Sequence, residues 1–131
     1  VTTIERDEER YQIAIQNIKN CSLEERIDVI LQDALEVNLT KQYDLIFIDA
    51  AKSQYIKFFE KFENNLKKSG VIVSDNLNFH GLTHTKEPIE SRNVRGLVRK
   101  LNLYIDFLKE NTKFNTQFYE IGDGVSISMK L

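Results

Sequence analysis

The sequence predicts a layered α/β fold, and three observations carry that prediction. Two short apolar runs, Leu45-Ile46-Phe47-Ile48 and Val71-Ile72-Val73, read as buried parallel strands. Strand-like runs alternate with segments of helical period, the pattern of α/β layers. Near the end, Gly122-Asp123-Gly124 separates two further strand-like runs and marks the turn of an antiparallel hairpin at the sheet edge.

Taken in order, Val1–Glu5 reads as the first strand. Asp7 follows as an N-cap, with Glu8 and Glu9 suited to the positive end of a helix dipole. Tyr11, Ala14, Ile15 and Ile18 then recur at i, i+3, i+4 and i+7, which predicts a helix with one buried stripe. Ile27–Leu31 is the next strand and ends at Gln32-Asp33-Ala34; residues 35–40 carry only a weak pattern. Tyr43–Ile48 is the third strand. Tyr55, Phe59, Phe62 and Leu66 form a helical stripe after it, with Lys67 and Lys68 in the last turn and Gly70 just beyond. Val71–Ser74 is the fourth strand. Residues 77–90 hold the one proline, Pro88, and both histidines, and read as a long surface loop of the kind that serves as a lid or binding segment. From Ser91, the stripe Val94, Leu97, Val98, Leu101, Ile105 and Leu108 sets a long helix. Gln117–Ile121 and Val125–Met129 form the closing hairpin.

The bulk numbers narrow the class. A length of 131 residues suits one domain, and 41% hydrophobic with 29% charged residues is ordinary globular composition. A net charge of -2 does not demand nucleic acid, and one cysteine, Cys21, excludes an intrachain disulfide and fits a reducing cytoplasm. No apolar stretch approaches membrane-spanning length, and there is no signal-peptide pattern. The chain opens on Val1 already inside a strand-like run, so it reads as the C-terminal portion, 1–131, of a longer domain.

Ligands of open α/β sheets sit beyond the carboxyl ends of the strands. Asp49, Asp75 and Asn76 occupy two such ends and offer two carboxylates and one amide oxygen. Oxygen-only donors suit a hard cation such as Mg²⁺ better than zinc. Asp and Asn are also favoured turn residues after a strand, the plainer reading of the same positions. Lys52, three residues past Asp49, lies on the same side of the site once a helical turn begins, where it could act as a general base; otherwise it is a solvated lysine. Glu5 ends the first strand, where an acid accepts hydrogen bonds from a ribose diol, or merely caps the helix. Asp33, followed by the small Ala34, could meet an adenine amino group by the same logic. His80 and His84 have no helix between them and do not point to a zinc pair. Arg92, Arg95 and Arg99, with Lys100 alongside, make a basic face that would suit phosphate contacts with RNA, or be simply solvated.

The ordered set Thr2-Thr3-Ile4-Glu5-Arg6-Asp7, Asp33-Ala34, Tyr43 through Lys52 and Gly70-Val71-Ile72-Val73-Ser74-Asp75-Asn76 resembles the cation-dependent O-methyltransferases that use S-adenosylmethionine, the group of catechol and caffeoyl-CoA methyltransferases. The stretches Ser91-Arg92-Asn93-Val94-Arg95 and Gly122 to Ser128 look like the bacterial tRNA 5-hydroxyuridine methyltransferases. The resemblance implies a Rossmann-like class I methyltransferase sheet with helices on both faces. It implies Glu5 at the cofactor ribose, Asp33 and Ala34 at the adenine, and Asp49, Asp75 and Asn76 on Mg²⁺. Asp49 would also face the methionine end of the cofactor, and Lys52 would be the base. Tyr55 falls on the adjoining helix and packs there. tRNA as substrate and a cytoplasmic homodimer follow from the same likeness.

One departure stands out. The family's glycine-rich loop, the strand before it and the preceding helices have no counterpart in these residues. In that fold the strand lies at the sheet's centre, between the strands at Val1 and Tyr43. An additional N-terminal portion is therefore expected, and 1–131 alone should neither fold stably nor bind cofactor normally. Competing readings are methylation of a small catechol-like diol, a phosphoacceptor signalling domain, and a non-catalytic fragment or binding module. The signalling reading lacks its acidic cluster after the first strand and its late strand-end lysine.

Overall fold

The structure, a computed structural model, describes all residues 1–131. They form a mixed α/β fold in two compact units, Val1–Leu39 and Thr40–Leu131.

In the first unit, β1 (Thr2–Glu5) pairs in parallel with β2 (Asp28–Leu31), running in register from Thr2↔Asp28 to Glu5↔Leu31. Between them lies α1 (Glu8–Asn20). Its cap is the one read from the sequence: the Asp7 side chain accepts from the Arg10 amide at 2.9 Å, with Glu8 and Glu9 in the first turn. The predicted stripe holds in part. Tyr11, Ala14 and Ile18 are half-buried, but Ile15 is exposed, and α1 fully buries none of its residues.

The second unit holds a four-stranded sheet of order β3-β4-β6-β5. Its strands are β3 (Tyr43–Ile48), β4 (Leu66–Ser74), β5 (Phe114–Tyr119) and β6 (Val125–Lys130). β3 and β4 are parallel; β4–β6 and β6–β5 are antiparallel, so the predicted hairpin is present with β5 at the edge. A tight turn (Lys52–Gln54) leads into α2 (Tyr55–Phe62), and α3 (Arg92–Glu110) follows the long loop, capped by Ser91. The expectation that Leu66, Lys67 and Lys68 end α2 is corrected. That helix stops at Phe62, and these residues, with Gly70, belong to β4. A side chain at Gly70 would lie 2.9 Å from the Lys67 carbonyl and 3.0 Å from the Asp44 carbonyl. The close pairing of β4 with β3 therefore selects glycine there, rather than the end of a helix. Lys67 reaches across to Asp44 at 2.9 Å.

Amphipathic packing places the core. Tyr55, Phe58, Phe59 and Phe62 of α2, and Val98, Leu101, Tyr104 and Leu108 of α3, are buried together with Ile48, Ile72 and Phe114 of the sheet. The Phe59 ring meets Phe114 edge-on at 4.8 Å and Tyr104 at 6.3 Å. Tyr104 was absent from the predicted stripe, although its hydroxyl is tied to Ser74 Oγ at 2.6 Å. No helix is long and apolar enough to cross a membrane.

Candidate active site

The site is built where β3 and β4 end side by side. Ile48 and Ser74 are register partners, and the Asp75 amide donates to the Ile48 carbonyl at 3.2 Å. Asp49 and Asp75 thus leave adjacent parallel strands at the same rim, the place the sequence assigned them. Asp49 is exposed, while Asp75 and Asn76 are half-buried. Asn76 turns the chain with φ 58°, a left-handed conformation that asparagine tolerates better than most residues. Its amide N–H donates to its neighbour's Asp75 Oδ1 at 2.7 Å.

The turn after Asp49 brings Lys52 to the same rim, where Lys52 Nζ donates to Asn76 Oδ1 at 3.0 Å. Tyr55, expected from the sequence to pack on the adjoining helix, also ties the two strand ends together. It is 1% exposed, and its hydroxyl donates to the Asp75 backbone carbonyl at 3.0 Å. Lys52 Nζ lies 5.9 Å from the centre of its ring, within reach of a cation–π attraction. The phenol is pushed above its ordinary pKa, first by burial and next by the negative charge of Asp49. A hydrogen bond from the Ala50 backbone opposes this, and Asp75 adds to it. The sequence signal was available: a tyrosine, not a phenylalanine, opens an otherwise apolar stripe.

Nowhere do three His, Cys, Asp or Glu side chains gather as a metal-binding group. What the rim does offer is two carboxylates and an amide oxygen, the last accepting from Lys52 Nζ at 3.0 Å. Such a set fits Mg²⁺, which keeps much of its water and takes one or two carboxylates. His84 Nε2 lies 3.1 Å from Asn78 Oδ1, and neither His80 nor His84 belongs to a cluster of that kind.

In the first unit, Glu5 ends β1 and Asp33 lies just past the end of β2, its parallel neighbour, the two joined by the Gln32 amide donating to the Glu5 carbonyl at 3.0 Å. Each acid already accepts a local backbone bond. Glu5 Oε1 takes the Asp7 amide at 2.9 Å, and Asp33 Oδ1 takes the Leu35 amide at 2.8 Å. Asp33 Oδ2 also lies 3.4 Å from Arg6, an exposed pair of small energetic weight. Ala34 sits half-buried in the turn that follows Asp33.

The basic face of α3 is thinner than its sequence suggests. Arg92, Arg95, Arg99 and Lys100 are all exposed, but the Arg95 guanidinium donates to the carbonyls of Ile89 and Glu90 at 2.6 Å each. It fastens the end of the long loop.

A model of the O-methyltransferase family matches residues 1–131. The chain belongs to the O-methyltransferase family. A solved structure of a candidate caffeoyl-CoA O-methyltransferase from Staphylococcus aureus is 42% identical, with a TM-score of 0.92 over 99% of this chain and 64% of that one. This O-methyltransferase chain therefore spans less than two thirds of that relative's length. Two more distant structures share the fold. A Podospora anserina methyltransferase with SAH bound is 24% identical, with a TM-score of 0.88 over 99% of this chain and 60% of its own. The Bacillus cereus O-methyltransferase in complex with SAH is 22% identical, with a TM-score of 0.82 over 100% of this chain and 62% of its own.

Proposed function

We propose that this chain belongs to an S-adenosylmethionine-dependent O-methyltransferase whose acceptor is a hydroxyl beside a second oxygen. Asp49, Asp75 and Asn76 hold Mg²⁺ and Lys52 is the base. Glu5 takes the cofactor ribose, and Asp33 with Ala34 the adenine. One observation carries the reading: Asp49 and Asp75 directly follow the register partners Ile48 and Ser74 on adjacent parallel strands, and Lys52 Nζ reaches Asn76 Oδ1 there at 3.0 Å. Family membership and the SAH found in the Podospora and Bacillus proteins support the choice of methyl donor.

In the reaction a carbon–oxygen bond forms as the methyl carbon leaves the sulfonium sulfur, whose electron pair it returns. When bound, Mg²⁺ supplies positive charge that favours the ionised hydroxyl. The chain's own residues do the rest. Lys52 takes the hydroxyl proton, and its bond to Asn76 keeps Nζ at the rim. Tyr55 fixes the Asp75 backbone, so that the acceptor oxygen is aimed rather than merely bound.

The acceptor is 5-hydroxyuridine in tRNA, whose 5-hydroxyl and 4-carbonyl offer the paired oxygens, and the exposed Arg92, Arg99 and Lys100 suit its phosphates. The working enzyme is a cytoplasmic homodimer. The engagement of Arg95 with Ile89 and Glu90 favours a second reading, a small catechol-like diol that needs no basic face.

Asp75→Ala tests the metal role. Loss of a residue that only supports a metal ligand costs about 10–100-fold, so loss of a ligand should lower Mg²⁺-dependent methylation by at least about 100-fold. Undiminished turnover would overturn the metal assignment. Replacing Arg92 and Arg99 together separates the substrates: tRNA methylation should fall while a small diol is still methylated. Equal retention of both would favour the diol.

A further inference from the structure

The loop after Asp75 and Asn76 is strained in an unusual way. Asn76, Phe79 and His80 are non-glycine residues with φ of 58°, 44° and 56°, followed by Gly81 at 81°. Such conformations persist only where the surroundings over-determine them.

The surroundings here are the turn between β5 and β6. The Leu77 amide donates to the Gly124 carbonyl at 3.0 Å, and the Asn78 amide to the Asp123 carbonyl at 2.7 Å. The His80 amide donates to the Asp123 carboxylate at 2.6 Å, across a separation of 43 residues. Turn and loop are pressed together. Gly124 has φ 84°, and a Cβ there would lie 2.6 Å from the Asn78 side chain. Leu77, between the strand end and this clamp, is 2% exposed.

We infer that Asp123 is a positioning residue for the site: its carboxylate holds the His80 amide, fixes the left-handed segment and so aims the Asn76 amide oxygen at the rim. A carboxylate suits this task because it only accepts, and its bond to an N–H is charge-assisted. The Gly-Asp-Gly turn is then more than a hairpin link. It is a wedge between the sheet's edge and the loop that carries the site. What it aims is a metal ligand, a consequence that rests on the function proposed above.

Three variants test the inference on the purified protein: Asp123→Ala, Asp123→Asn, which keeps an acceptor oxygen, and Gly124→Ala, which pushes the turn away from Asn78. Amide hydrogen exchange at His80, the NMR signal of the Asn76 side-chain amide, and calorimetric Mg²⁺ binding are read in each. Asp123→Ala should expose the His80 amide, broaden or split the Asn76 signal and weaken Mg²⁺ binding by about 10-fold or more. Asp123→Asn should restore all three toward wild type, and Gly124→Ala should reproduce the defect should Asp123→Ala fail to fold. Unchanged His80 exchange and an unchanged Asn76 signal in Asp123→Ala would overturn the clamp. Wild-type protein that shows the clamp signatures but binds no Mg²⁺ would instead overturn the metal reading and leave Asp123 as the residue that orders Asn76.

Discussion

The two units spend their residues differently. Val1–Leu39 has one fully buried apolar side chain, Val37, and its helix buries none. Thr40–Leu131 packs two helices on one face of its sheet, with Phe59, Ile72, Leu101 and Tyr104 all at 0% exposure. Each unit presents acidic residues at the ends of a parallel strand pair, yet these are held by different means. Glu5 and Asp33 are oriented by backbone bonds within two residues of themselves. Asp75 is held by Tyr55, which rests edge-on against Tyr104 at 5.3 Å inside the core. Catalytic geometry needs side chains locked by packing, whereas a cofactor's polar edges can be met by groups that adjust on binding. The contrast thus assigns rigidity to the rim proposed for chemistry and compliance to the rim proposed for the cofactor.

Phe59→Ala is the strongest way to break the comparison. It removes a wholly buried ring that contacts Tyr104, Phe107 and Phe114, and large-to-small core changes of this kind cost about 3–5 kcal/mol. Ile13→Ala in α1, where the side chain is 55% exposed, should stay within about 0.5 kcal/mol. Urea unfolding of the two variants measures both. A loss at Ile13 equal to that at Phe59 would remove the distinction between the units.

Tyr104→Phe is the next effect. It leaves Ser74 Oγ, in a residue 1% exposed, without its partner, at a cost of about 1–3 kcal/mol. The change also has a pH signature. Tyr104 is held above its ordinary pKa, chiefly by burial, against which its bond to Ser74 works; Tyr55 is raised as well. Their protonated forms are favoured in the folded state. The stability tied to them is complete below the unfolded value of about 10 and is lost as pH rises beyond it, because the unfolded tyrosines then release protons that the folded ones keep. Unfolding midpoints at about pH 9 and about pH 11 should therefore differ less in Tyr104→Phe than in the wild type. An equal difference would place the alkaline loss elsewhere.

What the sequence disclosed, and what it hid, follows the range of the interactions. β3 was legible at its observed bounds because a continuous apolar run needs no partner to be recognised, and Asp7 and Ser91 act on amides three residues away. The rim of Asp49, Lys52, Asp75 and Asn76 was legible because strand ends carry it. Lys67, Lys68 and Gly70 imitate the end of a helix, and only the approach of β4 to the Asp44 carbonyl makes Gly70 a strand residue. Tyr104 reads as a break in an apolar stripe until Ser74, thirty positions earlier, supplies its partner. Arg95 looks free for phosphate until the loop folds back to it. Asp123 is the extreme case, a turn residue by sequence whose partner lies in another loop. Local signals report local bonds, and a site stitched across the sheet leaves little trace in them.

The smallest effect probes the compliant unit directly. Asp7→Ala removes the acceptor that satisfies the Arg10 amide, a capping loss of about 1 kcal/mol. Asp7 also leads the chain out of β1, where its own amide donates to Glu5 Oε1, so a frayed helix start should loosen Glu5 too. Amide exchange should quicken through the first turn of α1 and at Asp7, while α3, whose cap is Ser91, keeps its protection. If the proposed cofactor role is right, S-adenosylmethionine should recover part of the lost protection by binding the ordered form. Equal quickening in α1 and α3 would mean that one cooperative block underlies both rims, and the division of labour between a rigid and a compliant rim would not survive it.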